Sequence, residues 1–310
     1  MKYLSILLLS SLVLSCTGIK KGLENQTESP KKIANPVETK LFDNDVEIQQ
    51  TPEVVNSKSN TNTEVDSENK GPLKKNRVTD SLDSFHQNLT KGSLTDHQLW
   101  DELLKSHVSK YGNVDYAGFK KDYNRLQDYI RILQFSYKKI NPKTVRTEKE
   151  KLAFCINTYN ALTIDLILRN YPTKSIKDIK DPWDQRLWKF GDKWLNLNDI
   201  EHKILRKMNE PRIHFAIVCA SISCPELQNE AFIASNLEEQ LINATKEFLS
   251  DSSKNKLSEH KIKVSKIFKW FKKDFEQKGS LINFLNEYSD IKISEKAIKN
   301  YTDYNWDLND

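Results

Sequence analysis

The pattern of apolar and polar positions divides the chain into an apolar start, a long polar stretch and a folded part from about residue 91 onwards. Over 148–170, apolar residues occupy most sides of a helix, which predicts a long and buried central helix. One-sided apolar spacing predicts shorter helices that pack around it. These helices cover 95–111 with Thr95 as its cap, 118–135, 198–208, 235–249, 281–288 and a last helix capped by Ser294.

Shorter apolar segments predict a small amount of β-structure. Residues 183–197 carry several aromatic side chains around Gly191-Asp192, which predicts a hairpin, and 262–265 predicts a short strand. The apolar run 213–219 predicts a buried strand, whose alternation places His214 and Cys219 on opposite faces. The expected fold class is therefore α+β, a predominantly helical single domain over 91–310 with a small β-sheet, after a disordered N-terminal tether.

The polar stretch has the composition of a tether. Residues 17–90 are rich in Asn, Ser, Thr, Lys and Glu, and their only aromatic residues are Phe42 and Phe85. Such a segment cannot bury enough apolar surface to offset the conformational entropy that is lost on ordering. We therefore expect residues 16–90 to be disordered.

The first residues predict export and anchoring. Lys2 precedes an apolar run over 4–14 that is too short to span a bilayer, which is typical of a signal peptide over 1–15. Residues 13–16 (VLSC) resemble a bacterial lipobox, and the resemblance implies cleavage before Cys16 and lipidation of its thiol. The expected location is outside the cytoplasm, lipid-anchored to a bacterial membrane in the periplasm or at the cell surface. An ordinary signal peptide with an incidental Cys16 is the alternative.

Charge and cysteine content narrow the function classes. The 310-residue chain has a formal net charge of +5 and its lysines are scattered, which argues against a nucleic-acid-binding protein. Export places Cys155, Cys219 and Cys224 in an oxidising compartment, where an odd number of cysteines forms at most one disulfide. No sequence feature predicts a cofactor.

Reactive side chains are concentrated after the run 213–219. A thiol hydrolase or acyl transferase needs a cysteine thiolate, a base and a group that orients the base. The sequence offers Cys219 or Cys224 as the nucleophile, His202 or His214 as the base, and Glu201 or Asn157 as the orienting group. The hypothesis favours Cys219, His202 and Glu201, with Ser221 and loop N–H groups available to bind an oxyanion. The competing interpretation makes Glu201 the capping-box partner of Asn198.

The other polar residues of this region have two interpretations each. Asn157 and Asn160 share one face of the central helix and either clamp a neighbouring loop or line a cleft. As binding residues, the hypothesis names these two together with Ser221, Cys224 and His214. The alternatives are a buried His214 that bonds a backbone carbonyl and a disulfide between Cys219 and Cys224. A metal site is not predicted, because the spacing of the cysteines is loose for zinc.

Several motifs resemble those of one family. Residues 154–162 (FCINTYNAL), 197–202 (LNDIEH), 211–225 (PRIHFAIVCASISCP) and 304–309 (YNWDLN) follow, in order, the family patterns AFWINxYNAL, SLNDIEH, DPRIHFAxxCASxSCP and YDWSLN. The chain resembles the DUF547 family over about 95–310, a domain of unknown function. Cys155 stands where the family has Trp, which argues against a catalytic role for it, and Asn305 stands where the family has Asp. The resemblance implies boundaries and key residues but no activity.

Two functions remain open. The first is a tethered, non-catalytic domain that binds a ligand or protein partner in the cell envelope. The second is a cysteine-dependent hydrolase or acyl transferase, similar to papain or transglutaminase, that uses a Cys-His pair. Both place the site where the end of 213–219, the segment 198–202 and the Asn157/Asn160 face of the central helix meet.

Overall fold

The computed structural model describes residues 97–139 and 147–310. The predicted signal peptide, lipidation site and tether lie outside these ranges, as does the predicted cap at Thr95. Within the two ranges, no helix combines the length and the apolar character that a membrane crossing requires.

The described residues form an α+β fold, as predicted, with helices in the majority and two small sheets. The α-helices are α1 (Gln98–His107), α2 (Tyr116–Lys121), α3 (Tyr123–Lys139), α4 (Glu148–Asn170), α5 (Leu237–Ser250), α6 (Ile267–Trp270), α7 (Lys272–Phe275) and α8 (Leu281–Tyr288). The strands are β1 (Trp188–Phe190), β2 (Lys193–Leu195), β3 (Lys256–Leu257), β4 (Lys261–Val264) and β5 (Ile298–Tyr301).

Helix α4 is the buried centre of the fold and has the predicted bounds. A capping box between Thr147 and Glu150 starts it, and its residues from 156 to 168 are all buried. Asp165, with no exposed surface, accepts hydrogen bonds from Tyr123, Gln127 and Trp188 and pairs with Arg169. A buried carboxylate is stable only when it is paired and hydrogen-bonded in this way. These contacts tie α4 to α3 and to the hairpin.

Two clusters of buried apolar side chains form the interior. The first surrounds α4 and includes α1 to α3 and the β1–β2 hairpin. The second lies between α5, α8 and the three-stranded sheet, in which β4 pairs antiparallel with β3 and parallel with β5. Phe215 belongs to the second cluster, whereas Ile213 and residues 216–218 belong to the first. The segment 213–218 therefore passes from one cluster to the other.

The predicted strand 213–219 is wrong. Residues Pro211–Phe215 form a 3₁₀-helix, which begins at Pro211 because the Glu210 side chain accepts a hydrogen bond from the Arg212 N–H. The run is apolar because it lies between two cores, not because one face of a strand is buried. A short apolar run cannot distinguish these cases. Because the segment is not a strand, the inference that His214 and Cys219 occupy opposite faces of a strand is wrong as well.

Other differences concern the ends and caps of elements. The predicted helix 118–135 is two helices, α2 and α3. The segment after the predicted cap Ser294 forms strand β5 instead of a helix. Asn198 and Asn236 do not cap their helices through their side chains, and Asp199–Ile204 is a π-helix followed by a 3₁₀ turn, Leu205–Met208. The predicted hairpin is confirmed, with Gly191 at φ +60° in its turn.

Candidate functional site

One pocket of about 200 Å³ lies where the segment between the two cores leaves its 3₁₀-helix. Its inner wall is formed by Tyr159 of α4 and by residues of the segment 214–225. The π-helix contributes Glu201 and His202, and α6 and the C-terminal segment form the mouth. Both cores and the end of the chain therefore contribute to one cavity.

Two asparagines of α4 fix the backbone behind this pocket. The amide of Asn160 donates to the Ala216 carbonyl at 2.9 Å and accepts from the Val218 N–H at 3.0 Å. Asn157 makes the same pair of bonds with the backbone of Phe232, at 2.8 and 3.0 Å. Neither asparagine lines the pocket. Their polar atoms are used on the backbone, which favours the clamp over the cleft for both residues.

The thiol of Cys219 is surrounded by hydrogen-bonding groups. Its Sγ lies 3.1 Å from Ser221 Oγ and 3.2 Å from Tyr304 Oη. The Cys219 N–H donates to the Sγ of Cys224 at 2.9 Å. Cys219 is half-buried and Cys224 is buried, and both are reduced, as is Cys155. The loop 219–224 therefore holds two free thiols side by side at the pocket.

This arrangement changes the acidity of the two thiols in opposite directions. The hydrogen bond from Cys224 lowers the pKa of Cys219, although burial acts to raise it. The hydrogen bonds with Ser221 and Tyr304 lower this pKa further. Burial raises the pKa of Cys224. Cys219 is thus the thiol that ionises first. The thiolate is the reactive form of cysteine, so Cys219 is the better nucleophile of the pair.

The C-terminal segment holds the loop in place. The N–H groups of Ile222 and Ser223 donate to the carbonyls of Asp307 and Asn305, at 2.9 and 3.2 Å. The N–H groups of Cys219, Ile222, Ser223 and Cys224 all have acceptors within the protein, so these four are not available to an oxyanion. The proposed oxyanion contact is thereby narrowed to Ser221 and the remaining N–H groups of the loop. The same segment carries Tyr304 into the site.

Glu201 forms the acidic wall. It is 7% exposed and accepts a hydrogen bond from Tyr159 Oη at 3.2 Å. Burial raises the pKa of Glu201 to about 7, so the carboxyl group exists in both protonation states near neutral pH. Carboxyl groups in this pKa range serve as general acids and bases in enzymes. The cap interpretation of Glu201 is not supported, because its carboxylate faces the pocket and Tyr159.

A chain of polar contacts links both histidines of the pocket. His214 Nε2 bonds Asp274 Oδ2 at 2.8 Å, and the His214 ring stacks on Phe271 with ring centroids 3.9 Å apart. Arg206 makes two hydrogen bonds to Asp274, at 2.6 and 2.9 Å, and approaches His202 Nδ1 at 3.2 Å. The partner of His214 is therefore a carboxylate, and the alternative of a bond to a backbone carbonyl is not supported.

The protonation states follow from these contacts. Although burial acts to raise it, the hydrogen bonds from His214 and Arg206 lower the pKa of Asp274 well below its usual range. Burial lowers the pKa of His214, so its ring is neutral at pH 7. An ionised Asp274 accepts the proton on Nε2, which leaves the lone pair on Nδ1. His214 Nδ1 has no hydrogen-bond partner among the described residues, and the residue lines the pocket.

Aromatic rings surround the mouth of the pocket. Tyr304 and Trp306 have ring centroids 4.5 Å apart, and Trp270 lies 4.9 Å from Tyr304 and 5.8 Å from Trp306. Trp183 packs edge-on against Trp306 at 5.9 Å. Trp270 is 47% exposed despite its size. Exposed aromatic rings beside a concave site are typical of ligand recognition.

The structure brings most of the predicted site together. Cys219, Cys224, Glu201, His202 and His214 all line the pocket, and Ser221 bonds the thiol from the edge. The predicted Cys-His contact is not formed, since no histidine of the described residues hydrogen-bonds Cys219. In the same ranges no group of three or more histidine, cysteine or acidic side chains is arranged to hold a metal ion.

Sequence reasoning missed Asp274, Arg206 and Tyr304. Asp274 lies 60 residues after His214, and Tyr304 lies 85 residues after Cys219. No local pattern reports contacts over such separations. The one usable signal for Tyr304 was the motif 304–309, which resembles a pattern of the DUF547 family. Asp274 lies among lysine and aromatic residues over 266–275, where no motif singles it out.

Comparisons with known proteins give one family match. Residues 143–249 match the model of the family described as "Protein of unknown function, DUF547". The expected resemblance is confirmed for this range, which contains α4, the π-helix, the loop 219–224 (the thiol loop) and all but the last residue of α5. Asp274 and Tyr304 lie beyond it. No curated protein and no solved structure matches the chain.

Proposed function

We propose that this chain is an exported, lipid-anchored protein whose pocket performs cysteine-dependent hydrolysis or acyl transfer. The observation that carries the proposal is the thiol of Cys219, which lies at a pocket wall with hydrogen bonds that lower its pKa. A thiolate in a concave site is the minimum requirement for this class of chemistry. A thiol that only fills space in a core would not need hydrogen bonds such as those of Cys219 with Ser221 and Tyr304.

The proton acceptor in this proposal is His214, with Asp274 as its positioning residue. The thiol proton passes to Nδ1, and the thiolate attacks the carbonyl carbon of an ester or amide. The bond to the leaving group breaks as that group takes the proton from His214, and a thioester remains on Cys219. Water or an acceptor nucleophile then cleaves the thioester and restores the thiol. In a structure without substrate, such catalytic hydrogen bonds are often not yet formed.

Glu201 and His202 take secondary roles here. Glu201 is the second group that changes its proton near neutral pH, and it faces the same cavity. His202 is 42% exposed, and its Nδ1 lies 3.2 Å from the guanidinium of Arg206. We assign the base to His214 instead of His202, because Asp274 holds the His214 ring in place through Nε2.

The location rests on the sequence alone. The apolar run over 4–14 and the VLSC motif at 13–16 support export and lipidation of Cys16, and the composition of 16–90 supports a tether. On this basis the pocket acts on molecules of the cell envelope, within reach of a membrane anchor.

A second candidate is ligand binding without chemistry. It is favoured by the missing contact between Cys219 and a histidine and by the exposed aromatic mouth around Trp270. In this case an envelope ligand or protein partner would occupy the pocket, and the Cys219 thiol would only stabilise the conformation of the loop 219–224. The two candidates differ in what they require of Cys219.

The reactivity of Cys219 separates them. The rate of alkylation by iodoacetamide is measured at each cysteine as a function of pH by peptide mapping. The proposal expects the midpoint for Cys219 to lie below that for Cys155, which is outside the pocket, because the pocket stabilises the thiolate. A midpoint at or above that of Cys155, or hydrolysis of ester probes that persists undiminished in Cys219→Ala, would reject the enzyme.

A further inference from the structure

We propose that Cys219 and Cys224 form a reversible disulfide that switches the pocket thiol off, with a small-molecule or protein disulfide as the oxidant. The consequence for activity rests on the proposed function. The chemistry of the pair stands independently of it, because it depends only on the loop.

The geometry of the loop places the two sulfur atoms together. Ala220 at φ +57° turns the chain, and the Cys224 N–H closes the turn on the Ser221 carbonyl at 2.9 Å. The Cys219 N–H reaches Cys224 Sγ at 2.9 Å, which holds the Cys224 sulfur against the backbone of Cys219. A disulfide requires the two sulfur atoms to approach to about 2.05 Å. Side-chain rotation supplies such a movement within a loop that is already folded back on itself.

The left-handed residue Ala220 is a second sign that the loop is built for this juxtaposition. A non-glycine residue in this conformation costs about 1 kcal/mol or more. The surrounding structure maintains it, because the C-terminal segment bonds the loop at Ile222 and Ser223. The strained residue lies between the two cysteines, directly after Cys219.

Exposure sets the order of the two thiols in the reaction. Both cysteines line the cavity, but Cys219 is half-buried whereas Cys224 is only 5% exposed. An oxidant in the pocket therefore meets Cys219 first. The hydrogen bonds from Ser221 and Tyr304 keep that thiol ionised more readily than its neighbour. Cys224 is the resolving thiol behind it.

The reaction balances without a metal or cofactor. The Cys219 thiolate attacks one sulfur of the external disulfide, whose S–S bond breaks and releases a first thiolate. Cys224 then loses its proton and attacks the Cys219 sulfur, which expels the second thiolate. Two protein thiols are oxidised and one external disulfide is reduced to two thiols. A reducing dithiol reverses both steps.

The disulfide would remove the nucleophile and, with it, the thiol that contacts the Tyr304 hydroxyl at 3.2 Å. Cys155 provides an internal control, because it lies on α4 near Tyr137 and outside the pocket. In an oxidising compartment, the pair would make the pocket responsive to the local supply of reducing thiols. The pocket would thus be active only where a reductant reaches it.

The test is a redox titration of the full chain in buffers of reduced and oxidised glutathione, with acid quenching, alkylation and peptide mapping. We expect the peptide that carries Cys219 and Cys224 to lose two hydrogens and both alkylation sites, while Cys155 remains alkylated. We also expect Cys224→Ser to accumulate a glutathione adduct on Cys219. The proposal is overturned if both thiols stay alkylatable at every ratio, or if the adduct in Cys224→Ser forms on Cys155 instead.

The outcome is separable from that of the proposed function. If the disulfide forms and is reduced reversibly but the reduced Cys219 reacts with no acyl probe, the enzyme is rejected and the redox pair stands. If the reduced Cys219 is acylated but no disulfide forms at any ratio, the redox pair is rejected and the enzyme stands.

Discussion

Replacement of Glu201 by glutamine should stabilise the protein at alkaline pH. Burial raises the pKa of Glu201 from 4.5 to about 7, and Tyr159 Oη donates a hydrogen bond to its carboxyl group at 3.2 Å. Since one pKa unit corresponds to about 1.4 kcal/mol, the ionised carboxylate costs the folded state about 3 kcal/mol above pH 7. The amide of glutamine avoids this cost, and its oxygen still accepts the Tyr159 bond.

The sign of the pH dependence follows from proton binding. The folded state holds the Glu201 proton more tightly than the unfolded chain, so the free energy of unfolding is highest below pH 4.5 and falls as the pH rises to 7. Between pH 5 and pH 8 we expect the advantage of Glu201→Gln over the wild type to grow by about 2 kcal/mol.

Urea unfolding of both proteins at pH 5, 6.5 and 8 measures this difference. Glu239→Gln, at an exposed position of α5, is the matched control and should change the free energy of unfolding by less than about 0.5 kcal/mol at every pH. A difference between Glu201→Gln and the wild type that is the same at pH 5 and pH 8 would refute the reasoning, because Glu201 would then not titrate in this interval.

Three further changes test other parts of the site. Asn160→Ala leaves two buried backbone groups without partners and should lower the free energy of unfolding by about 3 kcal/mol, whereas Asn170→Ala on the surface should stay within about 0.5 kcal/mol in the same urea assay. Tyr304→Phe removes a hydrogen bond from the Cys219 thiol and should raise the pH midpoint of its alkylation, so an unchanged midpoint contradicts the assignment. Cys16→Ala should move the protein from the membrane fraction to the soluble fraction, and retention on membranes would reject the lipid anchor.

The parts of the fold that depend on local signals were predictable from the sequence. Helices α4 and α8 have the predicted bounds, because a capping box starts each of them and a regular apolar period continues to its end. The hairpin also followed from its glycine turn. The segment 213–219 failed, because an apolar run between two cores has no periodicity that reports its backbone conformation.

The site was predictable only in part, for a related reason. The loop with Cys219 and Cys224 was found because its reactive residues are close in the sequence. Its relation to Glu201 was also anticipated. The pairing of His214 with Asp274 was not, since it joins elements 60 residues apart whose approach depends on the packing of the second core. Both His202 and His214 line the pocket, and the sequence could not show that only His214 is bonded by Asp274.

The central claim is that Cys219 is a nucleophile, and trapping of a covalent intermediate tests it most directly. The reduced full chain is mixed with p-nitrophenyl acetate, quenched in acid within the first turnover and mapped by mass spectrometry. The account predicts one acetyl group on the peptide that carries Cys219 in the wild type and in Cys155→Ala. It predicts no acetyl group on this peptide in Cys219→Ala and slower acetylation in His214→Ala. Acetylation of Cys155 before Cys219, or an equal rate in His214→Ala, would contradict it.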